Sequence, residues 1–505
     1  MLNSIIRFSI RNKLIIGLFT IALIIAGVIN LARLPVDALP DITSNQVQII
    51  TVSPTLAAPE VERLITFPLE QANANIPGLK EIRSISRFGL SVITIVFDDD
   101  IDVYWARQQV SERLNLAKEQ IPASAGNPEL APVTTGIGEV YQYVLRPKKG
   151  FEEKYNLTEL RSIQDWIVRR QLLGTPGVAD VSSFGGFLKQ YEVAVQTDRL
   201  KSMNITIADI FAAIEKNNQN SGGAYIEKGP NALFIRTEGM VKTIEELGNV
   251  FVKHTGAGVP LFLKDVADVR IGHAIRYGAI TYKNEGEVAG AVVLMLKGAN
   301  ATEVIKNIKS RIAQIKTTLP EGVILEVFYD RTKMVDSAIH TVSNNLMEGA
   351  LIVILILVLF LGNMRAGLIV ASVISLAMLF AIIMMNLFGV SGNLMSLGAL
   401  DFGLIVDGAV IIVEAVLHRL FHGKGLASLD RLTQQQLDHE VENASSRMMT
   451  SAAFGQIIIL IVYLPILTLT GIEGKMFKPM AQTVSFALIG AFLLSLTYVP
   501  MMTAL

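Results

Sequence analysis

"LDFGLIVDGAVIIVEAV", running from Leu400 to Val416, is a membrane-like apolar stretch that carries three carboxylates, Asp401, Asp407 and Glu414. A charge at the centre of a bilayer costs about 3 kcal/mol on insertion scales. Three in one span therefore need a role. At about 100° per residue, Asp407 and Glu414 fall nearly on one helix face, and Asp401 sits about 120° round from Asp407 and nearly two turns earlier. Gly403, Gly408 and Ala409 leave little bulk beside them, so another helix can approach closely. One reading is polar glue, with the carboxyls paired or protonated for structure. The other is a proton relay, because an intramembrane carboxylate can load and release a proton as its surroundings alternate.

The rest of the chain suits a membrane setting. Its 505 residues are 51% hydrophobic and 18% charged, with a mean hydropathy of +0.45, too apolar for a soluble protein of this length. A net charge of −1 and the lack of a basic block point away from nucleic acid. With no cysteine, disulfides, thiolate metal sites and a cysteine nucleophile are excluded. The six histidines form no HExxH motif. No nucleophile–base pair or phosphate loop appears either, so an enzyme is the least supported reading, and no cofactor is expected.

The apolar run Leu14 to Leu31 follows Arg7, Arg11 and Lys13. It is about as long as the roughly 20 residues a spanning helix needs and lacks a small-x-small cleavage site. It therefore reads as a retained span with its N-terminus in the cytoplasm. Further runs near Asn345–Gly362, Gly367–Leu387, Leu394–Leu417, Ser451–Thr470 and Thr483–Leu505 bring the expected total to six spans. Outside the carboxylate stretch, the only charge in these spans is Glu348. Loop charges agree with the orientation: Arg365, Arg419, Lys424, Arg431 and Arg447 fall inside, while "TGIEGKMFKPMA" lies outside with two lysines, a mild exception. The chain ends within an apolar run, "SLTYVPMMTAL", and is expected to be part of a longer protein.

Between the first span and the others lies an outside domain that reads as repeated α+β units. "QVQIITVS", "LKEIRSIS" and "LSVITIVF" are strand-like, while "APEVERLITFPLEQANANI" and "DVYWARQQVSERLNLAKEQI" have helical spacing. That is a ferredoxin-like split order. It recurs through the helix "NLTELRSIQDWIVRRQLLGT", the strands "GVADVSSFGG" and "KQYEVAVQ", and the helix "TIADIFAAIEKNN". A Gly-rich segment from "NSGGAYIEKGPNALFIRTEGM" to about Ala274 reads as an inserted β-rich lobe. "AVVLMLKG", "NATEVIKNIKSRIAQIKTTL" and "VILEVFYD" then close the second unit.

"LPVDALPDITSNQVQI" from Leu34, "SRFGLSVITIVFDDDIDVYWARQQVSERL" from Ser86 and "DFGLIVDGAVIIVE" from Asp401 resemble the heavy-metal efflux branch of the resistance–nodulation–division transporters, and within it the cobalt–zinc–cadmium pumps. The pattern DFG, DGA, then Glu-Asn marks the divalent-metal branch, whereas copper/silver members keep the middle Asp and the later Glu-Asn. Asp401, Phe402, Gly403, Asp407, Gly408, Ala409 and Glu414 match it, and Ala415 stands where the family has Asn.

The resemblance covers the whole chain as the N-terminal half of such a pump. It implies an α+β membrane protein of the cell inner membrane: a transmembrane helix bundle with a large periplasmic domain of ferredoxin-like porter units and an inserted β-rich docking lobe. The expected layout is 1–34 as first transmembrane helix, 35–132 as first porter unit, 133–220 as the first part of the second, 221–274 as docking lobe, 275–336 as the closing part of the second unit, and 337–505 as helices two to six with a cytoplasmic loop at 418–447. A homotrimer is implied, working with a periplasmic adaptor (membrane fusion protein) and an outer-membrane channel, and exchanging protons for divalent metal ions that are substrate and not cofactor. Asp407, Asp401 and Glu414 would form the proton relay. Glu139, in "TTGIGEVYQY", falls where related zinc pumps contribute a carboxylate to a periplasmic metal site; the plain alternative is a solvated loop residue. The acid run "FDDDID" (Asp98, Asp99, Asp100, Asp102) reads as a turn with helix N-terminal acids. Seventeen methionines show no cluster in the outside domain, so copper lacks support. The rival readings are a copper/silver or organic-solute pump, and a receptor or protein-export subunit without solute flux.

Overall fold

The structure is a computed structural model, which describes residues 2–37, 39–122, 125–254, 258–276, 278–284, 286–398, 400, 402–422 and 433–505. The first α/β unit begins with β1 (Asn45–Val52), whose alternate residues Val47, Ile49 and Thr51 are buried, as period-two patterning requires. A helical stretch over 58–73 follows, then β2 (Leu79–Arg87), β3 (Leu90–Phe97), the helix Val103–Lys118 and β4 (Glu129–Leu130). The sheet order is β2-β3-β1-β4, with antiparallel pairing throughout. Ile49, Ile93 and Ile95 pack against Ile65, Leu69, Val110 and Leu114 of the two helical layers.

The second unit opens with β5 (Glu139–Pro147), a helical stretch over 157–173 and β6 (Val178–Gly185). The chain then leaves through β7 (Lys189–Val195), β8 (Ser221–Lys228), β9 (Asn231–Thr237), β10 (Phe251–His254), β11 (Pro260–Phe262) and β12 (Ala267–His273). It comes back as β13 (Ile280–Thr281), β14 (Glu287–Met295), the helix Ala301–Thr318 and β15 (Val323–Asp330). The main sheet runs β6-β14-β5-β15, so both units place their first strand between the third and fourth. Tyr143, fully buried at the centre, donates to Gln164 Oε1 at 2.9 Å, and its burial pushes the phenol well above the usual range.

The lobe starts earlier than the expected boundary at residue 221. β7 was expected to continue the second unit, but it pairs along its whole length with β12. Gly185 and Gly186, at φ 70° and 65°, end β6 in a conformation that side chains rarely adopt, and the chain turns away there. Val193 and Val195 then face a separate core around Leu200, Ile210, Leu263 and Val266.

Five of the described helices are long and apolar enough to cross a membrane: Lys13–Arg33, Arg331–Leu361, Met364–Leu387, Gln434–Leu467 and Gly471–Thr503. Phe402–His422 packs among them through Ile405, Val406, Ala409, Ile412 and Val413. Four expected limits change. Residues 1–34 hold two helices, Leu2–Arg11 and Lys13–Arg33, because the backbone breaks at Asn12. The helix after β15 starts at Arg331, ahead of the apolar run at 345, with Asp330 accepting from the Thr332 N–H at 2.9 Å. The run 394–417 is divided into Leu394–Gly398, capped by the Asn393 side chain on the N–H groups of Met395 and Ser396, and Phe402–His422. The expected loop 418–447 is largely helical at both ends: the carboxylate helix continues to His422 and the next begins at Gln434. Its polar residues make pairs that hold the helices, Arg7–Glu442 at 2.6 Å, Lys13–Asp438 at 2.7 Å and Arg419–Glu440.

Small residues set the helix spacing. A Cβ at Gly490 would lie 2.7 Å from Phe380 Cδ1 of the Met364–Leu387 helix. Gly490→Ala should therefore lower the thermal midpoint of the detergent-purified protein, and Gly490→Leu should lower it further, each through overpacking of about 1–3 kcal/mol.

Candidate functional site

The carboxylate helix has a packed face and an open face. Ile405, Ala409, Ile412 and Val416 are buried against neighbouring helices, whereas Asp407 and Glu414 are both exposed on this chain. The two carboxylates thus share the face that the other described helices leave uncovered, in agreement with their seven-residue spacing. Asp401 lies outside the described residues. Glu348, the other acid of the expected spans, is also exposed, on the Arg331–Leu361 helix.

Directly beside Asp407, Gly408 permits a close helix approach. A Cβ there would lie 2.4 Å from Gln456 Nε2, so the Gln434–Val462 helix lays this side chain against bare backbone. Gln456 is 5% exposed, and neither end of its amide has a hydrogen-bond partner among the described residues. Counting only charged residues missed it; the signal was a glutamine inside the apolar "SAAFGQIIIL".

Glu139 stands at the first position of β5, exposed, and accepts from Gln142 Nε2 at 3.0 Å. Among the described residues, no group of three or more His, Cys, Asp or Glu side chains is placed to hold a metal ion. Glu139 is thus one carboxylate at the start of a strand, able to supply a single oxygen donor to a borderline divalent ion.

The acid run divides its tasks. Asp102 caps the Val103–Lys118 helix by accepting from the N–H groups of Tyr104 and Trp105 at 3.0 and 2.9 Å. Asp99 reaches across the molecule to Lys475, at 2.6 Å, near the start of the Gly471–Leu496 helix. Lys475 also donates to the Thr43 carbonyl at 2.9 Å. One of the lysines that stood as an exception to the charge pattern is therefore an ion-pair partner of the α/β part. Nearby, Lys297 donates to Asn45 Oδ1, and burial holds its ammonium below the ordinary lysine range.

An α/β part of two like units with an inserted lobe, tied by ion pairs to apolar helices one of which bears carboxylates, defines a membrane-transporter architecture. Residues 5–505 match the AcrB/AcrD/AcrF family, and the chain belongs to it. It is 45% identical over 509 residues to the cation efflux system protein CzcA of Alcaligenes sp. (strain CT14), covering 100% of this chain and 48% of that protein. It is 40% identical over 536 residues to the nickel and cobalt resistance protein CnrA of Cupriavidus metallidurans (strain ATCC 43123 / DSM 2839 / NBRC 102507 / CH34), covering 100% of this chain and 49% of the relative. A crystal structure of a heavy metal efflux pump superposes with a TM-score of 0.86 at 35% identity, over 98% of this chain and 48% of the pump. The chain thus spans about half the length of the relatives it matches.

The Asp99–Lys475 pair makes a pH prediction. The hydrogen bond from Lys475 holds the Asp99 carboxyl below its ordinary value of 3.8. A carboxyl with a depressed folded-state value adds stability that is present above the unfolded value and lost as pH falls through the folded one. Asp99→Asn should lower the thermal midpoint by a constant amount from pH 8 to pH 5, and the gap to the unaltered protein should close as pH falls below about 4.

Proposed function

We propose that this chain is one half of a proton-driven exporter of divalent heavy-metal cations of the zinc, cobalt, cadmium and nickel class. The observation that carries the reading is the carboxylate helix: Asp407 and Glu414 lie together on the face left open by the described apolar helices. Hydrocarbon would penalise that face heavily. It therefore belongs against further protein or a wetted path, where a carboxylate can exchange protons. Similarity to proteins named for cobalt–zinc–cadmium and for nickel and cobalt resistance supports the metal class.

In this reading the Phe402–His422 helix is the fourth of six spans, the α/β part is periplasmic, and the two like units and the lobe serve as porter units and docking lobe. The protein sits in the cell inner membrane as a homotrimer, with a periplasmic adaptor and an outer-membrane channel. Asp407 is the principal proton carrier. Protonated, it is neutral and tolerates a dry setting; ionised, it requires water or a positive partner. That difference couples its proton to the arrangement of the helices around it. Asp401 and Glu414 assist it. Glu139 supplies one carboxylate on the metal's periplasmic route, with other ligands from the remainder of the pump.

The reading is tested with the full-length pump in inverted membrane vesicles, by following Zn(II), Co(II), Cd(II) and Ni(II) accumulation under an imposed pH gradient. Asp407→Asn should reduce gradient-dependent accumulation to background while the trimer still assembles. Accumulation at the unaltered rate would overturn the relay.

A further inference from the structure

Among the described residues, Arg331 is the most buried charged side chain at the junction between the α/β part and the helices, with its side chain 3% exposed. It is the first residue of the Arg331–Leu361 helix and follows β15 directly. One terminal nitrogen donates to Asp37 Oδ1 at 2.7 Å, and the other to the Ile137 carbonyl. Its Nε, equally buried, has no hydrogen-bond partner among the described residues. A guanidinium that served only to neutralise Asp37 would use its fork on that carboxylate. Here the fork is divided between two chain segments.

Both segments lead somewhere. Asp37 and Pro35 follow the Lys13–Arg33 helix and bond to both sides of Gly392, which lies between the helices Met364–Leu387 and Leu394–Gly398: Asp37 N–H to the Gly392 carbonyl, and Gly392 N–H to the Pro35 carbonyl, each at 2.9 Å. Further along, the Thr43 hydroxyl accepts from the Gly136 N–H at 2.9 Å, and the Thr43 carbonyl accepts from Lys475. Residues 35–37 and 39–43 thus run as a strap over helix ends: they continue from one apolar helix, bond to the turn beyond another, and meet Arg331 and Lys475 at the starts of two more. Ile137 and Gly136 belong to the 133–139 segment that ends at Glu139. The other side of that segment is fixed to the second unit, by Met295 N–H on the Gly138 carbonyl at 2.8 Å and Lys297 N–H on the Val133 carbonyl at 3.2 Å. Gly138 has no room for a side chain, since its Cβ would lie 2.9 Å from the Thr135 carbonyl.

We propose that Arg331, with the strap it grips, is a positioning residue that transmits displacement of the membrane helices to the Ile137–Glu139 segment. A helix that moves at its start carries the guanidinium, and the guanidinium carries the carbonyl two residues before Glu139. The inference rests on the proposed reading of Asp407 as proton carrier and Glu139 as metal ligand, and adds the physical link between them.

The test uses hydrogen exchange of the 133–139 peptide in the full-length trimer, with Asp407→Asn as a permanently neutral carrier. Asp407→Asn should shift exchange of this peptide by about fivefold or more, the lower end of ordinary coupling between sites. In an Arg331→Gln background the shift should vanish, and Arg331→Lys, which keeps the charge toward Asp37, should restore part of it. Thr43→Val, which keeps the ion pair but removes the acceptor for Gly136, supplies a second arm and should also diminish the shift. A shift that persists in both Arg331→Gln and Thr43→Val, or no shift with Asp407→Asn alone, would overturn the link. Failure of the relay reading shows separately, as metal transport by Asp407→Asn at the unaltered rate.

Discussion

The constraint on which the rest depends is the intolerance of hydrocarbon for a carboxylate. Asp407 and Glu414 are separated by two helical turns and face one way, so a single side of their helix must be kept from lipid. The opposite side solves an ordinary packing problem with Ile405, Ala409 and Ile412, and Gly408 lets the neighbouring helix approach until Gln456 rests on backbone. One face is committed to the bundle, and the other carries the two carboxylates. In the proposed exporter, the covering of that second face is what changes as protons pass.

The same logic appears where the helices meet the α/β part. Ion pairs there are not surface ornament, since Arg331 is almost wholly buried and Lys475 bridges Asp99 and the Thr43 carbonyl. Exposed pairs contribute little to stability, while removing one partner of a buried pair is strongly destabilising. The helix Arg331–Leu361 leaves β15 without a linker, so the second sheet and an apolar helix are continuous.

Much of this was legible in the sequence. Strand-like apolar patterning marked β1, β2, β3, β6, β14 and β15 but left β5 unread, and the shared order of elements exposed the two units. The seven-residue spacing by itself puts Asp407 and Glu414 on one face. What stayed hidden depended on pairing across distance. β7 looks like a partner of β6, and nothing local tells that Val193 and Val195 belong to the core built with β12. Residues 434–447 are charged and read as loop, yet their charges meet Arg7 and Lys13 from the start of the chain. Lys475 looked misplaced by charge counting, and the acid run looked like a turn. Each explains the other only once the fold joins residues 376 positions apart. Glu139 stands at the start of β5, but that position alone does not supply the other donors a metal needs.

The most direct test follows protons and metal together. The full-length pump in proteoliposomes, loaded with a pH-sensitive dye under an acid-inside gradient, is given Zn(II), Co(II), Cd(II) or Cu(I) on the outside. The account predicts proton efflux triggered by the divalent ions, in fixed ratio to the metal taken up, and none triggered by Cu(I). Metal uptake with no accompanying proton movement would contradict it.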